Sequence, residues 1–125
     1  VETQKIAIIG LGRIGAAFLR NLLARSGRGV ELVGVAETGD TPGRQQAVDA
    51  GLNVASLDEI IALGASVDIL FDLTGIAAVR KEIREKLMAQ GNHHTVVASE
   101  TIARLIWALT SDDDLPVIAG RSTGY

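Results

Sequence analysis

There is no cysteine among the 125 residues, so disulfides, thiolate nucleophiles and cysteine-based metal sites are excluded. Aromatic residues are scarce as well, at 3%. With hydrophobic residues at 47%, most of the apolar mass is Ala, Val, Ile and Leu, as in buried parallel strands faced by helices. A basic excess is also missing. The formal net charge is −3, which argues against a nucleic-acid partner, because such binders usually carry a basic stripe. No apolar run approaches the roughly 20 residues that span a bilayer, so no membrane partner is expected. Nor is a secretory leader visible: Val1-Glu2-Thr3-Gln4-Lys5 leads straight into an apolar run, and the default location is cytoplasmic.

What is present is the ordinary make-up of a globular chain, with charged residues at 22%. A single domain over residues 1–125 is expected, long enough to remove roughly two-thirds of its unfolded surface from water. Val1 in place of Met, and an uncapped end at Gly120-Arg121-Ser122-Thr123-Gly124-Tyr125, suggest a piece of a longer chain.

Apolar runs and amphipathic segments alternate along the sequence. Lys5 to Ile9 reads as a first strand. Ile14 to Arg25 reads as a helix, with Ile14, Phe18 and Leu22 four apart. A turn at Ser26-Gly27-Arg28-Gly29 precedes a strand from Glu31 to Ala36. Pro42 to Ala50 reads as a helix closed by Gly51. A short strand over Asn53 to Ala55 is followed by Ser56, which with Glu59 forms a capping-box pattern opening a helix to Leu63. Strand four covers Val67 to Phe71. Ile76 to Gln90 is helical, with Val79, Ile83 and Leu87 on one side. Thr95 to Ala98 is strand five. Thr101 to Leu109 is a helix whose apolar side carries Ile102, Leu105, Ile106 and Leu109, with Trp107 read either as core or as a docking surface. Leu115 to Ala119 is a candidate sixth strand. Such alternation predicts a three-layer α/β/α fold with a doubly wound, mostly parallel sheet and ligands at the strands' C-terminal edge.

Gly10-Leu11-Gly12-Arg13-Ile14-Gly15 follows the first strand and opens the first helix. That is the context in which a GxGxxG pattern signals a Rossmann-type dinucleotide turn. Gly10 permits the sharp turn, Gly12 lets backbone approach a pyrophosphate, and Gly15 lets helix and strand pack closely. The helix's first N–H groups and its dipole then face the phosphates. Arg13 is placed either along the pyrophosphate or in solvent, and Ile14 completes the turn. Glu37 ends strand two, 37 − 15 = 22 residues beyond Gly15, where a carboxylate accepts from ribose hydroxyls and disfavours a 2′-phosphate. Thr38 follows it on the same edge. NAD(H) is therefore the expected cofactor, with Arg44 leaving NADP as the lesser alternative. Leu73, Thr74 and Gly75 end strand four beside the turn and form the rest of the expected cofactor site. Thr74 also serves as a candidate cap, and Asp72 reads as hydrogen-bonded structure.

Three further features carry less. Glu100, after strand five, is the one carboxylate considered as an acid or base, and no catalytic residue is assigned. His93-His94 precedes strand five, at the edge opposite the ligand, and reads as a solvated or partly buried pair rather than a metal site. Asp112-Asp113-Asp114 lacks the Gly and distal Glu of a calcium loop and reads as a charged turn.

The glycine turn, Glu37, Phe71-Asp72-Leu73-Thr74-Gly75 and Val96-Val97-Ala98-Ser99-Glu100 together resemble the N-terminal NAD(P)-binding domain of three groups. These are homoserine dehydrogenases, dihydrodipicolinate reductases and the glucose–fructose oxidoreductase/inositol dehydrogenase group. Leu115 to Arg121 is similar to the strand leading to the C-terminal substrate domain in the last. The resemblance implies the cofactor domain of an oxidoreductase, with a missing C-terminal domain or a second copy as partner besides the dinucleotide. It departs at the exit of strand five, where several of these enzymes carry a lysine and this chain has Glu100-Thr101-Ile102. That departure keeps open a non-catalytic NAD(H)-sensing domain attached to a signalling module. A CoA- or S-adenosylmethionine-binding domain shares the fold as a third reading.

Overall fold

In the strand Gln4–Ile9 (β1), Gln4 and Lys5 are exposed, and from Ile6 on both sides are apolar and buried. Its Ile6 and Ile8 belong to one hydrophobic cluster, and its Ala7 and Ile9 to another. A strand covered on both faces cannot show the in–out alternation of a half-exposed one, which explains the uninterrupted run. The structure, a computed structural model, describes residues 2–25 and 27–111.

Among the described residues, β1 is the centre of a five-stranded, all-parallel sheet of order β3-β2-β1-β4-β5. The other strands are Val30–Ala36 (β2), Val54–Ala55 (β3), Ile69–Asp72 (β4) and Val96–Ala98 (β5). The edge strands have two and three residues, short enough to offer little ladder for unwanted pairing. In β2 the register shifts by one residue: Ile6 pairs with Leu32 but Ala7 with Gly34. Gly34 there lies against Ile60, since a Cβ at that position would stand 2.5 Å from Ile60 Cδ1.

Among the described residues, five helices cover the two faces. Arg13–Ala24 (α1), Pro42–Asp49 (α2) and Glu100–Thr110 (α5) contribute Phe18, Leu19, Leu22, Ala47, Ala103 and Trp107 to one cluster. Leu57–Ala62 (α3) and Ala77–Ala89 (α4) contribute Ile60, Ile61, Ile83 and Leu87 to the other. Phe18 of α1 and Phe71 of β4 meet with ring centroids 4.8 Å apart at 57°, a tilted aromatic contact within the preferred range. α3 starts with the full capping box: Ser56 Oγ accepts from Glu59 N–H, and the Glu59 carboxylate accepts from Ser56 N–H.

The expected α/β/α layering and the alternation of elements are observed, with ends moved by one or two residues. A 3₁₀ turn at Gly64–Ser66 precedes β4 and has no counterpart in the sequence reading. One expected face is corrected. In α5 the buried residues are Glu100, Ala103 and Trp107, whereas Ile102, Leu105 and Leu109 are exposed. Ile102, Leu105, Ile106 and Leu109 do share one side of the helix, but of these only Ile106 packs against the core; the small Ala103 lets the helix sit close and brings Trp107 into the core. The candidate strand Leu115 to Ala119 and the Asp112–Asp114 turn lie outside the described residues. No helix among the described residues is long and apolar enough to cross a membrane.

Candidate functional site

Because the five described strands are parallel, their C-terminal ends lie on one edge. The chain runs outward from β1 to β2 and β3, then returns to place β4 on the other side of β1. The turns after β1 and β4 therefore leave in opposite directions and open a crevice between them. Backbone bonds fix the two lips: Gly10 N–H donates to Ala36 O at 2.9 Å, and Leu73 N–H donates to Ile9 O at 2.8 Å.

The glycines of the turn have separate geometric roles. Gly10 has φ +96°, a conformation that side chains rarely adopt. A Cβ there would also lie 2.9 Å from Thr74 N. On Gly15 a Cβ would lie 1.9 Å from Gly10 O, whereas on Gly12 it would meet nothing within 4 Å. Gly12 is thus the exposed glycine beside open space. It is the N-cap of α1 and supplies no side-chain cap, so the helix's first N–H groups keep their capacity to bind an anion. Arg13 is exposed at the first helical position, while the Ile14 side chain is fully buried, leaving only its backbone for a ligand.

Glu37 stands beside the turn and is bound into it. Its carboxylate accepts from Leu11 N–H at 2.9 Å, Thr38 N–H at 2.9 Å and Gly39 N–H at 3.2 Å. Thr41 Oγ1 lies 3.2 Å from Leu11 O and 3.3 Å from Glu37 Oε2, with one hydroxyl hydrogen for the two acceptors. Arg44 is turned back onto the same corner, its guanidinium donating to Glu37 O. α2 approaches so closely that a Cβ on Gly43 would lie 1.9 Å from Leu11 O, and Gln46 Nε2 donates to Ala16 O at 2.9 Å. Thr41, Gly43 and Gln46 thus brace the glycine turn from behind, and the sequence reading missed them. A glycine in the first turn of a helix, where it costs stability unless close approach requires it, was the available signal.

A cleft of about 330 Å³ runs along this edge, at the lower end of the range for small-molecule sites. Its glycine end is formed by Ile9, Gly10, Gly12, Leu73 and Thr74, and its middle by Ala36, Glu37 and Thr38. Leu57 of α3, Ile76 ahead of α4, and Val79 and Glu82 of α4 line it as well, and none of them was read from sequence as part of the site. Gly10, Gly12, Glu37, Thr38, Leu73 and Thr74 are therefore brought together, while Arg13, Ile14, Gly15 and Gly75 border the cleft without lining it. Gly75, at φ +69°, turns the chain toward α4.

Asp72 is fully buried, and its Oδ1 accepts from Thr74 N–H at 3.1 Å and Thr74 Oγ1–H at 2.7 Å. Thr74 Oγ1 in turn accepts from Ile76 N–H at 3.1 Å. Both residues shape the lip. Glu100 is also fully buried, with Arg104 Nε donating to its Oε2 at 3.4 Å, and it does not line the cleft. At the opposite edge of the sheet a shallow depression is lined by Gly64, Ala65 and residues 90–94. There His94 Nε2 lies 2.6 Å from Asp68 Oδ1. The Lys5 N–H, donating to Asp68 at 2.8 Å, holds that carboxyl below its ordinary value, with His94 adding to the effect.

A parallel sheet of order 3-2-1-4-5, with a glycine turn and a helix N-terminus facing a cleft at its switch point, defines a Rossmann-type dinucleotide-binding domain. The family model for the NAD-binding domain of homoserine dehydrogenase matches residues 10–107. The chain belongs to that family. No curated protein matches it. Among solved structures, the homoserine dehydrogenase of Thiobacillus denitrificans is 21% identical, with a TM-score of 0.56, over 77% of this chain and 23% of that one. GenD2 from gentamicin A biosynthesis, solved in complex with NAD, is 24% identical, with a TM-score of 0.58, over 89% and 32%. The S. aureus homoserine dehydrogenase is 15% identical, with a TM-score of 0.57, over 88% and 30%. At these identities the likeness is one of fold. The chain spans between 23% and 32% of the length of these solved chains.

Proposed function

We propose that the cleft binds NAD(H) through the Gly10–Gly15 turn, as the cofactor domain of an oxidoreductase. The observation that carries this reading is Gly12, exposed at the start of α1 with open space where a Cβ would stand. A pyrophosphate can come against bare backbone there and meet the unpaired N–H groups of the first helical turn. Bound NAD supplies hydride transfer, and the residues here bind and orient it.

Glu37 has two tasks in this proposal. It holds the turn through Leu11 N–H, and it receives the adenosine ribose hydroxyls, which replace its longest backbone bond, the one from Gly39. Its charge next to the ribose repels a 2′-phosphate and favours NAD over NADP. Leu73 and Thr74 contact the far ribose, and Thr38 flanks the near one. Glu37 and Glu82 are the ionisable residues among the cleft's described lining, and neither stands where hydride would move. Substrate chemistry is therefore assigned to a further domain, in keeping with the small share of the solved chains that this one spans.

Calorimetric titration with NADH, NADPH, CoA and S-adenosylmethionine tests the proposal. NADH is expected to bind most tightly. Gly12→Val abolishes binding by filling the open space, and Glu37→Ala weakens it about 10- to 100-fold, the worth of a charge-assisted hydrogen bond. Equal affinity in all three proteins would sink the assignment.

A further inference from the structure

We propose that Glu82 is a specificity-determining residue of the cleft, accepting a hydrogen bond from the exocyclic amine of the dinucleotide's adenine. The inference rests on the reading of the cleft as a dinucleotide site. If the pyrophosphate lies at Gly12 and the ribose at Glu37, the base continues from the ribose away from the phosphate. Of the described lining, the residues not already assigned to the pyrophosphate and the riboses are those of α3 and α4, which form a slot between them. Leu57 forms one wall, and Ile76 and Val79 the other. Ile76 is 53% exposed, an aliphatic surface suited to the face of a planar ring.

Glu82 lies one helical turn beyond Val79, on the same face of α4, and closes the slot. It is held there by Lys86, whose Nζ donates to Glu82 Oε2 at 2.8 Å and also pairs with Asp58 of α3. These two carboxylates raise the Lys86 pKa above its ordinary value, Asp58 contributing more. The pairs form a strap joining α3 to α4 across the end of the slot. Among the described residues, Glu82 Oε1 accepts no hydrogen bond, so the carboxylate keeps an acceptor for a ligand. Adenine presents a donor, its N6 amine, at the edge remote from the ribose. A 6-oxopurine presents an acceptor at the same place, which a carboxylate repels.

The test is calorimetric titration of the wild type, Glu82→Ala and Glu82→Gln with NADH and with its deamino counterpart, in which hypoxanthine replaces adenine. The wild type is expected to favour NADH about fivefold, the worth of one partly exposed hydrogen bond. In Glu82→Ala the two bind alike, NADH more weakly than to the wild type and the deamino compound no more weakly than before, since both the hydrogen bond and the repulsion are gone. In Glu82→Gln, whose amide both donates and accepts, the two bind alike. A wild type without preference, or a preference that survives in Glu82→Ala, overturns the inference while leaving dinucleotide binding intact. Failure of both dinucleotides to bind the wild type overturns the reading of the cleft, and the inference with it.

Discussion

Gly43 has an ordinary φ and sits in a helix, yet it is as constrained as any glycine of the turn. Its Cα approaches Leu11 O so closely that a methyl group would overlap the oxygen at 1.9 Å. Gly43→Ala therefore pushes α2 off the glycine turn and costs about 1–3 kcal/mol, as overpacking typically does. A urea titration checks this: an unchanged midpoint would mean that α2 slides away freely. Gly10, Gly12 and Gly15 are legible in the sequence because their spacing reflects local demands of one turn. Gly43 is not, because its demand is set by a carbonyl 32 residues earlier. Leu57, Ile76, Val79 and Glu82 escape for the same reason. They converge only through packing of α3 beside α4, and no periodicity records that.

At the scale of elements, the two edges of the sheet are tied in different ways. The C-terminal edge is held by loop contacts to the glycine turn. At the N-terminal edge, Asp68 links three strands: it accepts from Lys5 N–H at the start of β1, precedes β4, and pairs with His94 ahead of β5. Its lowered pKa fixes the sign of the effect. The stabilisation is fully present above the ordinary carboxyl value of 3.8 and is lost as pH falls through the lower folded value. Asp68→Asn is thus expected to lower Tm at pH 7, with the gap to the wild type closing below about pH 4. A gap independent of pH would show that the charge is irrelevant. The sequence places His94 at this edge correctly, since it precedes a strand of a parallel sheet. Its pairing with Asp68 needs the β4–β5 register. Helices α1 and α4 are legible because their apolar residues fall on one side. In α5 the apolar side is equally clear, but packing turns inward the neighbouring stripe of Ala103 and Trp107 instead.

The whole molecule is built around one long-range closure. β1 and β4 pair directly, Ile9 opposite Asp72, although three α-helices and two strands separate them in the chain. Order and layers follow from the alternation of elements, but the cleft exists only once that closure is made, because Gly10 and Thr74 supply its two lips. No stretch of the chain carries the site by itself. Occupancy and folding are therefore thermodynamically linked: a ligand that recognises the closed cleft has nothing to bind in the unfolded chain. NADH at about 100 times its Kd would add roughly 2.7 kcal/mol to global stability. The Tm should climb with NADH concentration and stay fixed for Gly12→Val. A Tm insensitive to NADH in a wild type that binds it would show the cleft persisting without the sheet. For a domain joined at this seam, the cofactor pool sets how often the fold opens.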